Sequence, residues 1–139
     1  MLMHKFFIVN SLDYNYEVVS KNNKAVEIPD DLIIYFSDSM KWIKTKWNGK
    51  EEHISLNYYG MSIIDDCNLI KFVSIIEKYR DIFREAPQIL ELTGMYMVDC
   101  DCYEKIVLEK ALLLDTLDDL IRLGKKAIEN NCALLHMGV

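Results

Sequence analysis

Prolines and glycines are scarce in this 139-residue chain, two and five respectively. Without a Pro/Gly-rich linker at which to divide it, a single domain is expected over residues 1–139. Long hydrophobic runs are missing too: no stretch approaches the roughly 18–20 apolar residues of a membrane span. The opening MLMHKFFIVN has one lysine, a very short apolar run and no small-residue cleavage site after it, which argues against a signal peptide. A basic excess is absent. Sixteen bases face 22 acids for a net charge of −6, and general binding to a nucleic-acid backbone needs the opposite balance. Catalytic signatures are lacking as well: there is no G-x-S-x-G, no glycine-rich phosphate loop and no His-x-x-x-His.

Cysteines number four, Cys67, Cys100, Cys102 and Cys132. With no secretion signal, all are expected as free thiols in a cytoplasm. Cys100-Asp-Cys102, behind Asp99, is the one local cluster of possible ligands. Zinc sites pair cysteines two to four residues apart and need a second pair, whereas here the spacing is one and the other thiols and histidines are scattered. A polar turn with incidental thiols is therefore expected, with no metal and no cofactor. His4, His53 and His136 each fall in an expected strand, where only a Ser or Cys brought alongside by the fold would make a nucleophile site. No catalytic residue is assigned.

What the chain does have is 51% hydrophobic and 11% aromatic residues, enough for a core and too many for disorder. In Asp65–Glu85, Leu69, Phe72, Val73, Ile76, Tyr79, Ile82 and Phe83 recur at three- and four-residue steps and predict a long amphipathic helix. After Ala86–Pro87 the period becomes two. Leu90, Leu92, Tyr96 and Val98 alternate with Ile89, Glu91, Thr93 and Met97, Gly94 marks a bulge or a close backbone approach, and a turn at Asp99–Cys102 returns the chain as Tyr103–Glu109.

Elsewhere, strands are expected at 3–9 and Tyr14–Val19, with a turn at Ser11–Asp13. Ala25–Ile28 fits a short strand or the entry to a helix. Pro29–Trp47 keeps helical spacing through Ile33, Phe36, Met40, Ile43 and Trp47, with Asn48–Gly49 ending it. His53–Tyr59 alternates as a strand, and Met61–Ile64 leads into the long helix. A second amphipathic helix over 111–129 contains Gly124, which weakens it by about 1 kcal/mol unless it permits a close crossing. Cys132–Val139 finishes as a strand. The sum is an α+β domain, a mostly antiparallel sheet with three principal helices near 29–47, 66–85 and 111–129. The 89–109 hairpin is expected to pair within a sheet that includes 53–59, with 132–138 as a further candidate strand.

Charge is uneven. Residues 1–47 carry six acids and six bases, whereas 99–119 hold Asp99, Asp101, Glu104, Glu109, Asp115, Asp118 and Asp119 against Lys105 and Lys110. Such acids serve either as a solvated face that suits the helix dipole or as a docking surface for a basic partner. Tyr59 and Trp42 fall off the apolar faces of their elements and are candidate interface anchors, since Tyr and Trp are enriched in interfaces.

From about His53 to Val139, LNYYGMSII before the long helix, ILELTGMYM in the hairpin and the terminal LLHMGV resemble small bacterial immunity proteins of polymorphic and contact-dependent toxin systems. That resemblance implies tight binding to one cognate toxin domain, no catalysis and no cofactor. The candidate toxin-binding residues are Asp99, Asp101, Glu104, Asp115, Asp118, Asp119, Tyr59 and Trp42. The partner would be basic, for example a nuclease. No direct nucleic-acid or membrane contact is expected, and the chain would be a monomer or weak dimer. Two other readings stay open: a small cytoplasmic enzyme or ligand-binding protein with a pocket between sheet and helices, and an adaptor or self-associating structural protein.

Overall fold

The first and last strands of the chain lie side by side in the computed structural model, which describes residues 2–10, 15–48 and 50–139. Strand β1 (Met3–Val9) pairs antiparallel with β8 (Ala133–Met137), in register Phe6 to His136 and Phe7 to Leu135. On its other side β8 pairs with β5 (Met61–Ile64). With β2 (Val26–Pro29), β3 (Lys44–Trp47) and β4 (Glu51–Ile54) this makes a six-stranded sheet in the order β2-β1-β8-β5-β3-β4. All its pairings are antiparallel.

Two long helices, α4 (Asp66–Arg84) and α5 (Lys110–Glu129), share one core cluster with Phe6, Ile28, Ile64 and Leu134 of the sheet. The opposite face, with Phe7, Val9, Ile63 and Leu135, packs on Val19 of the short helix α1 (Tyr16–Asn22). Strand β8 is thus covered on both faces, which is why Ala133, Leu134 and Leu135 are apolar in succession. Helices α2 (Asp30–Tyr35) and α3 (Ser37–Met40) add Leu32, Ile33, Phe36 and Met40 to the main core.

The structure is α+β with an antiparallel sheet, but among the described residues it has five α-helices, not three. The expected helix 29–47 is two short helices followed by a strand. Its apolar spacing does reach the core, yet α2 stops at Phe36, and the Ser39 hydroxyl bonds back to the Phe36 carbonyl (2.8 Å). Lys44–Trp47 then has period two, with Thr45 buried between exposed Lys44 and Lys46. Of the strand expected over Tyr14–Val19, Tyr14 lies outside the described residues and Tyr16–Val19 belong to α1. Asn15 caps it by accepting from the Glu17 and Val18 amides (3.0 and 3.4 Å), which outweighs the β preference of its two valines. The strand expected over 53–59 ends at Ile54, because Ser55 takes a left-handed φ of 69°. Met61–Ile64, read as a lead-in, is a central strand. The expected turn at Ser11–Asp13 and the expected stop at Gly49 lie outside the described residues.

The hairpin of β6 (Ile89–Met97) and β7 (Cys102–Glu109) is a separate two-stranded sheet and does not join the larger one. It springs from the end of the helix pair, since α4 feeds β6 and β7 feeds α5. The Lys110 amide donates to the Gln88 carbonyl (2.8 Å) and closes its base. The Lys110 ammonium donates to the carbonyls of Arg84 and Ala86 (3.0 and 2.9 Å), a cation on the negative end of α4.

Gly124 does permit a close crossing. A Cβ there would lie 2.4 Å from Cγ2 of Val73, a buried β-branched side chain of α4 that cannot easily turn away. Gly124→Ala should therefore lower stability by about 1–2 kcal/mol, the overpacking cost outweighing the gain in helix propensity. A double-mutant cycle with Val73→Ala in urea unfolding should show a favourable coupling between the two smaller-plus-larger changes. A stabilised Gly124→Ala would contradict the crossing.

Candidate functional site

Two features stand apart from ordinary packing, a buried polar chain under the helices and the projecting hairpin. His4, His136 and Ser62 are buried without measurable exposure, on the helix-side face of β1, β8 and β5. In antiparallel register His136 lies opposite both Phe6 and Ser62, which brings its ring to that of His4, two residues along β1 on the same face. The contacts run in series. The Asn57 amide donates to Ser62 Oγ (2.7 Å), Ser62 Oγ lies 3.3 Å from His136 Nδ1, and His136 Nε2 lies 2.9 Å from His4 Nδ1. His4 Nε2 is 2.9 Å from Asp30 Oδ1, which also accepts from the Tyr58 hydroxyl (2.6 Å).

Burial, and then the charge of His4, hold the His136 imidazole well below its usual range, at about 3, so the ring is neutral at neutral pH. The Asp30 carboxylate can only accept, so His4 donates to it through Nε2–H, while a neutral His136 has one ring hydrogen and so donates through one nitrogen and accepts through the other, between His4 and Ser62. Tyr58 remains a donor, because its bond to Asp30, and next its burial, push the phenol up to about 12. A serine, histidines and a carboxylate in series could suggest a nucleophile, but Ser62 is fully buried. A groove of about 760 Å³ lies elsewhere, between β2 and α5, lined by Lys24, Glu27, Asp119, Arg122 and Lys126 among others. The polar chain is an internal strut.

The hairpin is different. Leu90 and Leu92 are buried, and Ile106 and Leu108 pack against the main core, so its base half is anchored. Past the irregularity between Thr93 and Tyr96, where Gly94 was expected to make a bulge, every residue from 95 to 105 is exposed. Met95, Tyr96, Val98 and Tyr103 stand out at 66, 47, 82 and 59% exposure. Tyr96 and Tyr103 face each other across the ladder with ring centroids 5.2 Å apart, and the Tyr96 hydroxyl donates to Asp101. The turn, a 3-10 segment at Val98–Cys100, carries a disulfide between Cys100 and Cys102. This corrects the expectation of four free thiols. A left-handed Asp101 (φ 50°) brings the two Cα atoms to 5.3 Å, within bridging range, and only Cys67 and Cys132 are free. With both sulfurs bonded to each other, the candidate ligand pair at 100 and 102 is spent. Among the described residues no group of three or more His, Cys, Asp or Glu is placed to hold a metal ion.

The remaining candidates divide by position. Asp99, Asp101 and Glu104 stand at the tip of the hairpin, the far end of roughly 26 Å of strand counted from Glu109. Asp115, Asp118 and Asp119 lie in α5. Of these, Asp118 is half-buried and pairs with Arg80 of α4 (3.1 Å), which also lies 3.6 Å from Asp81 and 4.0 Å from Glu77. Asp119 pairs with Arg122, while Asp115 is exposed. Tyr59 and Trp42 are exposed at 82 and 63%, each in a turn of its own. Sequence reasoning missed the His4–His136–Ser62 alignment. The signal was present, since all three are polar residues inside strands, but it needed the pairing of β8 with both β1 and β5.

No family model, curated protein or solved structure matches the chain.

The polar strut makes stability depend on pH in a defined direction. His136 has a folded value of about 3 against 6.5 when free, so below pH 6.5 the unfolded chain takes up a proton that the folded chain refuses. This contribution is complete above about pH 6.5 and falls as pH drops toward 3, by at most ~1.4 kcal/mol per pH unit. Urea unfolding between pH 7 and 5, ahead of carboxylate titration, should show that loss. Ring 15N shifts should keep His136 neutral throughout, and a His136 that titrates near 6.5 would contradict the strut.

Proposed function

We propose that this chain is an immunity protein, which binds one cognate bacterial toxin domain and neutralises it by occluding its active site, with the hairpin arm as the part that reaches the toxin. The observation that carries this is the arm's distal half. Met95, Tyr96, Met97, Val98 and Tyr103 are all exposed there, on a ladder that only its base attaches to the core. An isolated two-strand ladder is marginal by itself, and an unsatisfied apolar surface of this kind is usually kept for a partner. Tyr and Met are residues that interface centres favour. Around them Asp99, Asp101 and Glu104 would steer a basic surface into contact, and toxins that attack nucleic acid present basic clefts. On this reading the acids of α5 are secondary. Asp118 works within the protein by tying α5 to α4.

The direct test is binding to a toxin carboxy-terminal domain encoded in the adjacent upstream reading frame. Tyr96→Ala with Tyr103→Ala should weaken that binding by about 2 kcal/mol or more, roughly 30-fold, with less than about 1 kcal/mol lost from folding. Asp99→Lys with Asp101→Lys should slow association at low salt and flatten its salt dependence, read by stopped flow. Asp118→Lys should instead lower the thermal midpoint, because it leaves the largely covered Arg80 beside a new cation. An upstream frame without such a domain, or arm variants that bind like the parent, would sink the proposal.

A further inference from the structure

We propose that the Cys100–Cys102 bridge at the tip of the arm is a thiol–disulfide exchange centre, and that its acidic collar makes it react with cationic thiols in preference to anionic ones. This does not depend on the arm's having a toxin partner. Access comes first. Both half-cystines are exposed, and so is every residue from 95 to 105, so nothing shields the sulfurs from attack. Most structural disulfides resist opening because they close long loops and are buried. This one closes a ring around a single residue, Asp101, so the loop entropy regained when it breaks is minimal and the bridge does little to hold the fold.

The tip also keeps its shape without the bridge. Asp101 accepts the Tyr96 hydroxyl, Tyr96 packs on Tyr103, and the Asp101 amide donates to the Val98 carbonyl (3.3 Å). An aspartate tolerates the left-handed conformation that the turn requires. Opening the disulfide would therefore change the chemistry of the tip more than its fold.

The reaction is ordinary exchange. A thiolate attacks one sulfur of the bridge, the Cys100–Cys102 bond breaks, and a mixed disulfide forms on that cysteine while the other leaves as a thiolate and is protonated by water. A second equivalent of thiol then attacks the mixed disulfide, which leaves both cysteines reduced and the two small thiols oxidised to their disulfide. Electrons balance, with two gained by the protein and two lost by the thiols.

Selectivity follows from charge. Asp99 precedes Cys100, Asp101 lies between the cysteines, and Glu104 follows two residues after Cys102. Lys105 is the single base between 95 and 105. Carboxylates this close to the reacting sulfurs favour an approaching thiol that carries an ammonium and oppose one that carries extra carboxylates. The candidate substrates are aminothiols, or a cysteine set in a basic protein surface.

The test compares cysteamine with glutathione on the intact protein. Each rate is taken per thiolate and divided by that thiol's rate with an uncharged small disulfide, so that charge at the tip is what remains. Alkylation and peptide mapping separate Cys100 and Cys102 from Cys67 and Cys132. At about 10 mM ionic strength, where the Debye length is about 30 Å, cysteamine should open the bridge about tenfold faster. The ratio should fall toward one at about 1 M, and Asp99→Asn with Asp101→Asn and Glu104→Gln should remove the salt-dependent part. A ratio that is the same at both ionic strengths, or a bridge that neither thiol opens, would overturn the proposal.

Discussion

The hydrogen-bonded ladders on the two sides of β8 tie the ends of the chain together, and the remaining elements are placed by what those ladders require. A strand with neighbours on both edges and packing on both faces has no room for water. Its one polar side chain, His136, must therefore find partners inside the protein. It finds them in Ser62 on one neighbour and His4 on the other, and Asp30 and Tyr58 complete the series. A network of this kind stabilises only when every member is satisfied, and so it fixes the register of the three central strands as well as their proximity. With the sheet covered on one side by α4 and α5 and on the other by α1, the hairpin between the long helices has no place in it.

How far the sequence could be read depended on how far the period alone decided the matter. Helices α4 and α5 are long and one-sided, so their spacing was sufficient. The hairpin at 89–109 and its irregularity at Gly94 were equally legible, because alternation is a local property. The segment from Pro29 to Trp47 was not. Its buried residues Ile33, Phe36, Met40 and Ile43 fit a helix, but a bent path of two helical turns and a strand buries the same side chains. Around Asn15 the capping signal was present, but the aromatic and β-branched residues that follow it suggested a strand.

Sheet partnership was the larger gap, because it is set by tertiary pairing that no local pattern reports. For that reason the hairpin was expected in the main sheet, and His4 and His136 were read as unrelated. The site residues show the same division. Asp99, Asp101 and Glu104 stand at the turn where alternation put them. The partner of Asp118 is Arg80, 38 residues away and on another helix, beyond the reach of spacing. The disulfide was missed because the thiols were read as reduced for want of a secretion signal, and the left-handed turn at Asp101 that brings the two Cα atoms within bridging range leaves no mark on the spacing.

On the proposed reading the arm and the body have separate tasks. The body is stabilised by its core, which the base of the arm joins, and by its buried polar strut, while the distal half of the arm carries exposed apolar and acidic side chains outside that core. Hydrogen–deuterium exchange of the proposed complex, formed with a toxin domain encoded upstream, tests that division most directly. The predicted result is new protection of the backbone amides between 93 and 105, with little change in α5 beyond its first turn. Protection confined to the exposed face of α5, or to the turns that carry Trp42 and Tyr59, with the arm exchanging as in the free protein, would contradict it.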